Sequence, residues 1–244
     1  MYKFDRKIWL QYPAECFNDF ECIMTGELAT IIAESNSGKT TFALDMITQN
    51  AKRWIKGYYI NLEFPIETMW QSRWLWFNNK SKRDLTSLWN LTDEEIKDLE
   101  DYVNSNLNAI EYYNNPNWID LDMLLKVIEI QALAWFKFFV IDTFSRIHGN
   151  SWNDARWHQN KCMEELQELA QRLNIAIIVL HHTNRQGTWE GSQKIMDLSN
   201  VFLVISKQVD AEWEEYRNYK LLKDKFVVVK EIDVYYHWWR YERF

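Results

Sequence analysis

"IIAESNSGKTTFALDMI", residues 31–47, opens as an apolar run, breaks into small polar residues around one lysine, and resumes with Phe42, Met46 and Ile47 at helical spacing. A buried strand that turns on a glycine straight into a helix gathers backbone N–H groups and the positive end of the helix at one point. Such a point attracts phosphate. Residues 33–40, AESNSGKT, fit the pattern G-x-x-x-x-G-K-[ST], with Ala33 in the place of the first glycine and Gly38 allowing the tight turn. Glu34, Ser35, Asn36, Ser37, Gly38, Lys39, Thr40 and Thr41 are therefore the candidate cradle for a nucleoside triphosphate. Lys39 would reach the β and γ phosphates, and the Thr40 hydroxyl would hold Mg²⁺.

Working outward, the pattern predicts a strand over 28–33, a helix over 40–54 ended by Gly57, a strand over 58–62, and a helix over 66–78 after Pro65. The polar segment around 79–107 reads as a helical insertion on the surface, in which Thr92 and Glu95 form a capping box. Further strands are predicted over 110–113, 136–141, 175–180, 201–205, 219–222 and 226–229, and helices over 121–135 and 154–173. Alternating strands and helices, with strands that are continuously apolar, predict an α/β fold: a mostly parallel central sheet flanked by helices. The late strands have little helix between them and predict an antiparallel C-terminal extension. Residues 1–24 form an N-terminal segment, and 25–244 one domain.

Two acids complete the candidate chemistry. The strand FKFFVI runs into Asp142, a carboxylate at the C-terminal tip of a buried strand, where open α/β sheets bind ligands; it suits a water-mediated contact to the metal. Glu63 closes the strand in YYINLEFP and could orient or deprotonate an attacking water.

At 244 residues and 47% hydrophobic content the chain can bury a sizeable core, which excludes disorder. No apolar run reaches membrane-spanning length and the first residues lack a secretory signal, so no membrane association and a cytoplasmic location are expected. Cys16, Cys22 and Cys162 lack CxxC spacing and a nearby histidine cluster, and read as reduced thiols. The net charge of −7 argues against a basic coat for duplex DNA, though not against a narrow basic channel. Most of the 14 tryptophans are expected in the core or in subunit contacts.

Four stretches in order, AESNSGKTTFA, NLEFP, FFVID and IIVLHHTNR, resemble the RecA-like ATPase core, specifically DnaB-type replicative helicases and the helicase half of phage primase-helicases. The likeness runs over residues 25–230, and the HHTN stretch is similar to one in small plasmid hexameric helicases. The resemblance implies a P-loop NTPase that hydrolyses ATP with Mg²⁺, binds single-stranded DNA in replication, and assembles as a ring hexamer or filament. It makes Glu63 the catalytic base and His182 the residue that senses the γ phosphate. LLKDKFVVV is similar to the family's Lys-x-Arg element, which reaches the neighbouring subunit's nucleotide; here Lys223 and Lys225 occupy it, and the arginine is missing. Residues 1–24 are too few for the collar or primase domain of those helicases.

Candidate DNA contacts lie after the third and fourth motif strands: Arg146 and Arg156, with His158 and Lys161 among Trp152 and Trp157, then Arg185 and Lys194 around Trp189. The resemblance places Gly191 and Ser192 in the channel-facing loop. A solvated charged surface explains the same residues more simply. The tail VYYHWWRYERF reads as an edge strand or subunit contact, and His181 as a hydrogen-bonded residue at a strand end. Two further functions share this core: a filament-forming recombinase or recombination mediator, and a KaiC-like regulatory ATPase with protein partners and no nucleic acid.

Overall fold

A computed structural model describes residues 7–20, 22–86, 90–148, 155–183, 193–210, 215–224, 229–237 and 240–243. Two short strands, Trp9–Leu10 (β1) and Ile23–Met24 (β2), pair antiparallel ahead of Leu28–Ala33 (β3), which is buried throughout. A loop leads to Lys39–Lys52 (α1), then Gly57–Asn61 (β4) and Ile66–Phe77 (α2). The short Lys82–Thr86 (α3) and the long Asp93–Ala109 (α4) precede Glu111–Asn114 (β5). Ile119–Asp120 (β6), Leu121–Leu133 (α5), Phe138–Asp142 (β7) and Ile147–His148 (β8) follow. Ala155–Leu173 (α6), Ala176–His182 (β9) and Gln193–Leu198 (α7) lead to the last four strands: Val201–Val209 (β10), Glu215–Lys223 (β11), Lys230–His237 (β12) and Arg240–Arg243 (β13).

Nine strands form one sheet in the order β13-β12-β11-β10-β3-β9-β7-β4-β5. From β10 to β5 the neighbours are parallel; from β10 to β13 they are antiparallel. The central strands are apolar at nearly every position because both faces are covered. In β3, Ala29, Ile31 and Ala33 face one core while Leu28 and Ile32 face the other; β7 and β9 divide their residues in the same alternating way. Each such large aliphatic or aromatic side chain contributes about 1.5–3 kcal/mol by leaving water. Register levels the strand tips: Ala33 lies beside His182, Asn61 beside Asp142, and Asp142 beside Leu180.

The structure departs from the sequence reading at several points. Gly57 does not end α1. That helix stops at Lys52, the chain turns at Trp54 in the left-handed region (φ 63), and Gly57 begins β4. Glycine stands there because a Cβ would come 2.3 Å from Ile47 Cγ1, so it permits helix and strand to approach. Thr92 and Glu95 do form the capping box. The 79–107 segment is not merely superficial, however: α4 buries Leu99 and Val103 in the same core as Trp70 and Trp74 of α2, and Trp74 Nε1 donates to Asp98 at 2.7 Å. β10 and β11 run longer than predicted because their outer halves mix polar residues among apolar ones, as a half-solvated hairpin does. Of the strand predicted at 226–229, Val229 precedes β12 and the other residues lie outside the described ones. The tail does supply an edge strand, β13.

Of the eight described tryptophans, Trp70 and Trp74 are core residues, whereas Trp9, Trp54, Trp76, Trp118, Trp135 and Trp157 are exposed on this chain. Cys16, Cys22 and Cys162 are thiols joined in no disulfide, and burial pushes that of Cys162 up to about 12. Among the described residues no helix is long and apolar enough to cross a membrane.

Candidate active site

The loop between β3 and α1 is shaped by two left-handed residues, Asn36 (φ 64) and Gly38 (φ 89). A Cβ at Gly38 would meet nothing within 4 Å, so conformation rather than space calls for glycine there. No side chain caps α1, which leaves its first-turn N–H groups open to an anion. Glu34, Ser35 and Asn36 are exposed, while Ser37 is buried with its Oγ unpartnered.

Lys39 is the first residue of α1 and is 5% exposed. Its Nζ straddles the His182 ring, 3.1 Å from Nε2 and 3.2 Å from Nδ1. Burial lowers its pKa, and the nearby carboxylates of Asp142 and Glu63 resist that shift. The same Nε2 of His182 lies 3.6 Å from Glu63 Oε1. That contact is the main cause holding the Glu63 carboxyl below its ordinary value; burial opposes it and the charge of Lys39 assists. Glu63 follows β4 in a turn held by Leu62 N–H donating to the Asp142 carbonyl at 2.6 Å. Lys39, His182 and Glu63 thus form a chain, cation to imidazole to carboxylate.

Asp142 is buried, and its Oδ2 accepts from Thr40 Oγ1 and from Tyr59 Oη, each at 2.7 Å. Oδ1 is buried without a partner. Desolvation raises the pKa of this carboxyl against the pull of Lys39, Tyr59 and Thr40. A hydroxyl beside a carboxylate with a spare buried oxygen fits Mg²⁺, which takes oxygen ligands, one or two from the protein and the others from phosphate and water. Among the described residues no cluster of three or more His, Cys, Asp or Glu could hold a metal by itself.

His181 points to the opposite face from His182. It does not end in the expected hydrogen bond: its Nδ1 is buried without a partner, and the ring packs edge-on against Phe144 at 5.4 Å. Burial, then the charges of His182 and Lys39, push its pKa down to about 4, so it stays neutral.

The candidates from the later motifs are scattered. Lys223 Nζ donates to the carbonyls of Met196 and Asp197 in α7 at 2.8 and 2.6 Å, within its own chain. Lys225, Arg185, Gly191 and Ser192 lie outside the described residues, and Arg156 lies in α6 with its side chain outside them. Lys194 pairs with Glu164. Arg146 is exposed on the turn after β7, and its charge contributes to the lowered pKa of Glu63. Lys161 lies 5.5 Å over the ring of Trp157, and His158 bonds the Ile147 carbonyl at 3.2 Å.

Two residues were missed. Tyr59 looks like any apolar strand residue until its hydroxyl reaches Asp142. Arg217, 180 positions from Ser37, donates from Nε to the Ser37 carbonyl at 3.0 Å, a contact no local pattern signals. The cavity of about 560 Å³ is lined by residues 34–41, by Glu63, His182 and Arg217, and by Thr68, Met69, Ser72 and Trp76 along α2, a size that suits a nucleotide.

Residues 18–188 match the AAA domain family. No curated protein matches the chain in sequence. Among solved structures, one of an ATPase domain is similar with a TM-score of 0.72 at 12% identity, over 89% of this chain and 84% of that one. A DnaB-like replicative helicase, solved in a study of its interactions with primase, gives 0.73 at 13% identity over 86% of this chain; the matched part is 55% of that protein. The KaiC-like protein PH0186 from Pyrococcus horikoshii OT3 gives 0.65 at 14% identity over 98% of this chain and 100% of that one. The family match spans more than half the sequence, and the sheet order and these likenesses agree on the architecture: the chain belongs to the AAA domain family and has the fold of a RecA-like P-loop ATPase.

Proposed function

We propose that the chain is a Mg²⁺-dependent ATPase that works as a motor on single-stranded DNA, a DnaB-like helicase acting as a ring or filament of identical subunits. The observation that carries the reading is that Lys39 and Thr40, in the first turn of α1, line one cavity with Glu63 and His182 from the ends of parallel strands, while Asp142 bonds Thr40 from the tip of β7. In this reading residues 25–244 are one ATPase domain, and α3 and α4 are its insertion.

Lys39 binds the β and γ phosphates, exchanging its contact with His182 for one with phosphate oxygens. Thr40 and, through water, Asp142 would hold Mg²⁺, which would supply positive charge against the triphosphate. Glu63, whose pKa is lowered, is ionised at neutral pH and aligns the attacking water or takes its proton. His182 touches both Lys39 and Glu63, so a γ phosphate that displaces it changes both. Arg146, with the basic residues Arg156 and Arg185 of the later sequence motifs, would engage the DNA.

A second reading, the KaiC-like regulatory ATPase, draws support from the pairing of Lys194 with Glu164 and the internal tie of Lys223, which reduce the basic surface open to DNA. ATP turnover with and without single-stranded DNA, run beside Glu63→Gln, separates the two. Stimulation by DNA, abolished in the variant, supports the motor; turnover indifferent to DNA supports the regulator. No turnover under either condition would overturn both.

A further inference from the structure

We infer that Arg217 is a nucleotide-contacting residue acting within its own chain, its guanidinium held at the phosphate loop to meet an anionic oxygen of a bound nucleoside di- or triphosphate. The inference rests on the reading of the cavity as a nucleotide site.

Arg217 lies in β11, directly across from Lys207 of β10. Its side chain leaves the antiparallel extension and reaches the loop before α1, where Nε donates to the Ser37 carbonyl at 3.0 Å. Nη1 donates to the Tyr216 carbonyl at 3.3 Å and lies 3.6 Å from Glu215 Oε2. None of these contacts uses Nη2, and the residue lines the cavity together with Lys39 and Glu63.

Charge accounting explains why an anion belongs there. The Arg217 side chain is 16% exposed, so its charge is largely withdrawn from water. Two of its hydrogen bonds go to neutral carbonyls, which orient a guanidinium without balancing it. The carboxylate paired with it among the described residues, Glu215, is half exposed and lies closer to Lys207, at 2.5 Å. A guanidinium oriented through Nε and Nη1, with Nη2 left over, can donate to a phosphate oxygen with its plane already set. The position also bears on the late element where Lys223 and Lys225 stand in place of an arginine: a guanidinium enters the site from the strand that Lys223 closes, on the same subunit as the phosphate loop.

The test is calorimetric titration of the full chain with ATP, ADP and adenosine, comparing wild type, Arg217→Lys, Arg217→Gln and Lys39→Ala, each with its melting temperature recorded without nucleotide. Arg217→Gln is expected to weaken ATP and ADP by about tenfold and to leave adenosine unchanged, with a shallower dependence on salt, while Arg217→Lys keeps part of the affinity through its charge. Wild type that binds ATP no better than Lys39→Ala defeats the nucleotide reading and the inference with it. Wild type that binds while Arg217→Gln binds equally well defeats the inference alone. Equal losses in the Lys and Gln variants, with a lowered melting temperature, reduce Arg217 to a prop for the loop and overturn it too.

Discussion

Thr40 Oγ1 donates to Asp142 Oδ2 at 2.7 Å, joining the first turn of α1 to the tip of β7 across 102 positions of sequence. The same carboxylate oxygen accepts from Tyr59, so Asp142 is fixed from two sides while its other oxygen stays unpartnered.

Asp142→Asn keeps the shape and removes the charge. Turnover should fall by about 10²- to 10³-fold, with the Mg²⁺ dependence flattened, as measured by initial rates across a Mg²⁺ titration. Stability without nucleotide should move the other way. The folded-state pKa of Asp142 lies above its unfolded value, so ionisation in the fold is a penalty, absent below the unfolded pKa and complete above the folded one. The variant should therefore melt higher than wild type at neutral pH, and that advantage should vanish as pH drops below about 4. Equal melting at both pH values would sink the claim.

His182→Ala removes the main cause of the low Glu63 pKa while burial continues to raise it. The acid limb of the pH–rate profile should shift to higher pH, and the stability that ionised Glu63 contributes above its unfolded pKa should shrink. A pH series of turnover and thermal melts reads both; an unmoved acid limb would mean that Glu63 is set by something else.

Trp54 is 94% exposed and sits at φ 63, where a bulky L-residue is strained by about 1–2 kcal/mol. Trp54→Asn, which suits a left-handed helix terminus, should stabilise the protein by roughly 0.5–1 kcal/mol in urea unfolding. A loss of stability would show that the indole makes a contact that outweighs the strain.

Gly57→Ala should destabilise by about 1–3 kcal/mol, because the new methyl meets Ile47. Ile47→Ala, which removes both clashing carbons, should cost less in the Gly57→Ala background than in the wild type, and a double-mutant cycle of unfolding free energies measures the difference. Strict additivity would remove the steric explanation.

The phosphate loop was legible because its signal is local: strand, turn glycine and helix adjoin in sequence, and α1 follows Gly38 directly. Asp142 and Glu63 were legible as acids closing apolar strands, although their meeting depends on the parallel register of β4 and β7. Elsewhere the physics was non-local. Gly57 reads as a helix terminator until Ile47 is seen against it. The outer halves of β10 and β11 carry mixed polarity, which a search for continuous apolar runs passes over. Arg217 and Tyr59 have ordinary neighbours in sequence, and only the closed sheet sets them against Ser37 and Asp142.

Because the groups around the cavity hang from β3, β4, β9 and β11, with β7 bracing them from beneath, a molecule seated there stitches together segments from almost the whole length of the chain. Its binding energy is therefore shared by the assembled sheet instead of by one loop. Amide exchange in those strands should slow in concert when the cavity is filled, since opening any one of them means releasing the occupant.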